Sequence, residues 1–110
     1  MNKPTRYYSK KQERKVAKVN NGSVVANSGA TRFNKGDVKT DHFLIECKTK
    51  TDPSKSISIK KEWLEKTQEE MFATQSLFRW ALAFNFGPDE PNYYIIDERT
   101  FKEFNRILDE

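Results

Sequence analysis

The stretch from Gly36 to Thr51, GDVKTDHFLIECKTKT, constrains this chain most, because it carries charge where a core-forming hairpin should be apolar. Within it, His42 to Lys48 reads as a strand. Side chains alternate along a strand, so Phe43, Ile45 and Cys47 share one face while Leu44, Glu46 and Lys48 share the other. The consecutive Phe43, Leu44 and Ile45 mark a strand buried on both faces, where a carboxylate and an ammonium need a purpose. On an open strand the same Glu46 and Lys48 would be an ordinary solvated ion pair.

Gly36 to Lys39 can pair with this run through a short turn at Thr40 and Asp41. A turn of two or four residues is expected to set Lys39 against His42, Val38 against Phe43 and Asp37 against Leu44, leaving Asp37 diagonal to Glu46 on one face. A three-residue turn breaks that parity. In the expected pairing Asp37, Glu46 and Lys48 converge. Two carboxylates and a lysine can hold a hard divalent cation against a phosphate while the ammonium orients a water, which is the chemistry of metal-assisted phosphodiester hydrolysis.

The chain has 110 residues, enough for one small domain with a single core. Its charge is uneven. Residues 1 to 66 hold sixteen Lys or Arg against seven Asp or Glu, whereas the remainder holds four against nine, an asymmetry suited to a protein with one face turned to a polyanion such as nucleic acid. A basic arm on a neutral domain is the plainer alternative. One cysteine, Cys47, excludes an intramolecular disulfide, and its place on the apolar face reads as a small buried hydrophobe. With His42 as the lone histidine, neither a zinc site nor a Ser-His-Asp triad has support. No apolar stretch is long enough for a membrane span and no hydrophobic signal core opens the chain, so a soluble, cytoplasmic protein is expected.

In order, residues 1 to 9 read as a flexible basic arm and residues 10 to 110 as one domain. Lys10 to Lys18 reads as a charged helix with Ser9 as its N-cap and Val16 and Ala17 reaching the core. Its one acid, Glu13, lies among Lys10, Lys11, Arg14 and Lys15, as either an intrahelical ion-pair partner or a metal ligand. A strand over Gly22 to Ala26 follows, then a small-residue loop with Ser28 and the flanking Arg32 and Lys35, into which a phosphate backbone could fit. After the hairpin come a short strand at Ser56 to Ile59 and a helix at Lys60 to Gln75. Strands at Trp80 to Phe86 and Tyr93 to Ile96 precede a final helix, Phe101 to Leu108, capped by Thr100. This order predicts an α/β fold, a small mixed central β-sheet flanked by helices.

Glu13, then Asp37, then Glu46-Cys47-Lys48 in a small α/β chain resembles the PD-(D/E)xK nuclease superfamily, and within it the archaeal-type Holliday-junction resolvases and their phage relatives. The likeness spans roughly residues 10 to 98 and implies a restriction-endonuclease-like sheet. Carried over, it makes Asp37 and Glu46 metal ligands together with the backbone carbonyl of Cys47. Lys48 would position the attacking water, Glu13 would assist from the first helix, and Ser28 would match the loop hydroxyl near the scissile phosphate. Gly36 stands where the motif has proline. The resemblance implies a magnesium-dependent endonuclease, manganese being an alternative metal, that acts on branched or four-way-junction DNA as a homodimer in a prokaryotic or phage-infected cell. It needs no small-molecule cofactor. Arg6, Lys10, Lys11, Arg14, Arg32 and Lys35 would grip phosphates. A nicking, repair or restriction-type nuclease of the same superfamily is the second expectation, and a non-catalytic basic nucleic-acid-binding module the third.

Overall fold

A computed structural model describes residues 3–25, 37–74 and 79–110. Its elements are helix α1 (Thr5–Val19), strands β1 (Ser23–Val24), β2 (Val38–Lys39) and β3 (Phe43–Lys48), helix α2 (Lys61–Ala73), strands β4 (Arg79–Phe84) and β5 (Tyr93–Ile95), and helix α3 (Glu98–Leu108). The strands form one five-stranded sheet in chain order, antiparallel except for β3 and β4, which run parallel from Phe43 beside Arg79 to Lys48 beside Phe84. A parallel pair needs a crossover, and α2 supplies it. The expected α/β class and mixed sheet are therefore observed. Among the described residues no helix is long and apolar enough to cross a membrane.

The period-two pattern of β3 divides the core between the two faces of the sheet. Val38, Ile45, Ala81 and Ala83 pack with Val16 and Ala17 of α1, and Phe43, Cys47 and Ile96 close around them. On the other face Leu44 and Trp80 pack with Met71 and Leu64 of α2. Thr67 and Met71, one helical turn apart, are the buried positions of α2, and Gln12 joins Val16 and Ala17 as those of α1. Glu46 and Lys48 thus lie on the α2 face of a central strand.

Several boundaries differ from expectation. Helix α1 begins at Thr5 behind Pro4, so Thr5 to Ser9 belong to the helix and not to an arm, and Ser9 is no cap. A proline's fixed φ and missing donor suit a helix entrance, where the first amides lack intrahelical partners anyway. Ser56 to Ile59 forms no strand, because β3 and β4 already have neighbours on both sides. Strand β4 ends at Phe84, short of the expected Phe86, where the buried Asn85 turns its side chain to Thr49 and Asn92. The last helix starts at Glu98, with Asp97 and not Thr100 as N-cap: the Asp97 carboxylate accepts a hydrogen bond from the Thr100 amide at 2.8 Å. That helix is held by the buried Thr100, an ion pair between Arg79 and Glu103, and the Phe43 ring against Phe104. Its apolar stripe otherwise faces outward, Phe101 being 64% and Leu108 84% exposed.

Candidate functional site

The β2–β3 turn builds the site. Its four residues, Thr40 to Phe43, separate the paired Lys39 and Leu44, and the Thr40 hydroxyl accepts the Phe43 amide at 3.0 Å. Val38 stands opposite Ile45 and Lys39 opposite Leu44, a register two residues beyond the expected one. A shift of two preserves parity, so the faces are those foreseen although the individual partners are not. At Asp37 the ladder leaves its pattern. The Asp37 amide donates to the Ile45 carbonyl at 3.2 Å, and its carboxylate accepts the Cys47 amide at 2.8 Å, taking the place of a main-chain acceptor.

This holds Asp37 against the end of β3, beside Glu46. Burial pushes the Glu46 carboxyl up to about 9, and a hydrogen bond to Asp37 and the Asp37 charge push the same way, while Lys48 and Lys66 oppose them. Glu13, on α1, feels the same Asp37 charge. Its carboxyl rises to about 7, through burial first and the charge of Asp37 second, against the opposing pull of Lys10 and Arg14. The Cys47 thiol is pushed upward by burial and then by Asp37, Glu13 and Glu46, which fits an inert packing residue in the midst of three acids. The Glu13 and Glu46 carboxyls thus bind protons more tightly first because they are buried and then because Asp37 stands beside them.

Lys48 extends over the face of Trp63 in the first turn of α2, its ammonium 4.5 Å from the ring centroid, with the Lys60 ammonium at 5.9 Å. Around Glu13, the exposed Arg6, Lys10 and Arg14 follow one another at four-residue spacing along one flank of α1. Lys11 lies off that flank and pairs with Asp89 at 2.6 Å, so it is separated from the cations with which it was grouped. Ser28, Arg32 and Lys35 fall outside the described residues.

Gln12 was not foreseen. Its buried amide donates to the Lys48 carbonyl at 2.9 Å, to Asn92 at 3.0 Å and to the Ala83 carbonyl at 3.3 Å, bolting α1 to the end of the strand that carries Lys48. A polar residue four positions before Val16 on the buried stripe was the available signal. Trp63 and Lys66, within the expected helix of residues 60 to 75, were not singled out either.

Asp37 and Glu46 offer hard oxygen donors side by side, of the type that magnesium or manganese takes. Among the described residues, however, no group of three or more His, Cys, Asp or Glu side chains closes into a set that could hold a metal ion. No protein-family model, curated protein or solved structure matches the chain.

Proposed function

We propose that this protein is a metal-dependent endonuclease acting on branched DNA, in the manner of the resolvases that its Asp37, Glu46-Cys47-Lys48 pattern resembles, with a restriction-endonuclease-like sheet. The observation that carries the reading is the pairing of Asp37 with Glu46, whose carboxyl is raised to about 9 next to Lys48. A half-buried acid whose affinity for a proton is raised beside a second carboxylate on a central strand is poorly stabilised as an anion and well suited to a cation.

Asp37 and Glu46 would hold the metal, with the Cys47 carbonyl completing their side. Bound magnesium, or manganese, supplies charge to the phosphoryl oxygen and acidifies a water. Lys48, two residues from Glu46 on the same face, would orient that water and offset charge developing on the phosphate. Glu13, with a carboxyl near 7, would take up a proton or assist the second acid. Arg6, Lys10 and Arg14 would draw the phosphate backbone across this end of the sheet, so binding should weaken steeply with salt. Resolving a four-way junction takes two paired nicks, so a homodimer belongs to the proposal.

The test is magnesium-dependent cleavage of a synthetic four-way junction by wild type and Glu46→Ala. The variant should bind the junction and leave it uncut. If it cuts at the wild-type rate, the site is misassigned. A flap and a linear duplex run alongside separate a resolvase from a nicking, repair or restriction-type nuclease. The incomplete ligand set among the described residues favours one further reading, a basic nucleic-acid-binding module whose acids are an electrostatic cluster. It predicts binding indifferent to magnesium and no cleavage at any protein concentration.

A further inference from the structure

Lys48 ends β3, and the chain returns to it through α2, whose first turn lays the Trp63 ring under the ammonium. A lysine has a compact charge on a flexible four-carbon stem, so placing that charge costs much side-chain freedom. An acidic partner would hold it more strongly but would also cancel the charge that a phosphate needs. An indole face attracts the ammonium through its quadrupole and leaves the positive charge intact. Trp63 is itself fixed where its main chain is hydrogen-bonded on both sides: its amide donates to the Lys60 carbonyl at 3.0 Å, and its carbonyl accepts the Thr67 hydroxyl at 2.7 Å.

We propose that Trp63 is the positioning residue for Lys48, its ring face holding the ammonium on the side of the sheet where Glu46 stands. This rests on the nuclease reading above. It goes beyond that reading in assigning to an α2 aromatic the orientation of a group carried on β3. Trp63 need not touch DNA or metal, and its effect should pass through Lys48 alone.

The discriminating property is the ring face, not bulk. Trp63→Phe and Trp63→Tyr keep a face, whereas Trp63→Leu and Trp63→Met keep apolar volume and helix propensity without one. Each variant is checked by thermal unfolding, and the use of two variants in each class keeps the comparison open should one not fold. Single-turnover cleavage of a four-way junction in magnesium should stay within about threefold of wild type for Phe and Tyr and fall about tenfold for Leu and Met, while junction affinity without metal changes less than about twofold. In the wild-type NMR spectrum the Lys48 ε-methylene protons should be shifted upfield by the indole ring current, and the shift should vanish in Trp63→Leu. Leu and Met variants that cleave as fast as Phe would overturn the proposal, as would unshifted Lys48 protons. A wild type that cleaves nothing removes the nuclease reading itself, and is thereby distinct from a wild type that cleaves with no dependence on the ring.

Discussion

Glu46 sets the pH behaviour at the scale of single residues. A carboxyl whose folded pKa lies above its unfolded value binds its proton more tightly when folded, so the stability it contributes is complete below about 4.5 and is lost as pH rises through about 9. Glu13 acts in the same direction with its loss complete nearer 7. The metal-free protein should therefore unfold at lower temperature at pH 8 than at pH 5. Glu46→Gln, which keeps a donor for Asp37 without a titrating proton, should match wild type near pH 4 and exceed it at pH 8, as read by thermal unfolding across that range. Parallel curves for the two proteins would mean that Glu46 is not the strained group. If the proposed metal binding holds, magnesium should raise the unfolding temperature of wild type at pH 8 and leave Glu46→Gln unmoved. The faces of Glu46 and Lys48 were legible because strand alternation is a local rule. Trp63 and Gln12 were not, since which helical side chain lands on which strand end depends on helix-to-sheet docking, which no local spacing encodes.

At the scale of elements, the hairpin that carries the site leans on the turn after α1. The Gly22 amide donates to the Ala17 carbonyl at 2.8 Å, and a Cβ at Gly22 would sit 2.5 Å from the Lys39 carbonyl oxygen and 3.0 Å from the Thr40 side chain. A contact that short with backbone forces the turn away from β2, so Gly22→Ala should cost roughly 1–3 kcal/mol in chemical denaturation. On the proposed nuclease reading it should also slow cleavage, through displacement of the Asp37 strand. Asp97→Ala, at the far end of the fold, should cost about 1 kcal/mol from the loss of the α3 cap and leave any such cleavage unchanged. The contrast tests whether only the first turn communicates with the site. The central strand and the helix over residues 60 to 75 could be read ahead because each has a strong local signature. Extended residues at Ser56 to Ile59 resemble a strand just as well, but whether they pair depends on a free sheet edge, a property of the whole topology.

On the scale of the whole molecule, α3 offers a surface for the homodimer that the proposed junction resolution would call for. The helix is anchored through Thr100, Glu103 and Phe104, while Phe101 and Leu108, seven residues apart, form an outward seam, with Ile107 also exposed and Lys102 and Asp109 along one shoulder. Residues seven apart recur on one side of a helix after two turns. Two copies of α3 running antiparallel about a two-fold axis near Asn105 lay Phe101 beside Leu108 of the second copy and Lys102 beside its Asp109, each contact made twice by symmetry. Opposite charges meet along the same shoulder in this arrangement. Light scattering should accordingly find Phe101→Glu and Leu108→Glu monomeric and still cooperatively folded, because neither side chain belongs to the buried core. Lys102→Glu and Asp109→Lys should each weaken the dimer, and together restore it, since the reversed pair is again complementary. If the double reversal is as weak as the sum of the two singles, the antiparallel register is wrong. If wild type is monomeric at all accessible concentrations, α3 is not a self-association surface, and the proposed paired nicks would have to come from two molecules brought together by the junction itself.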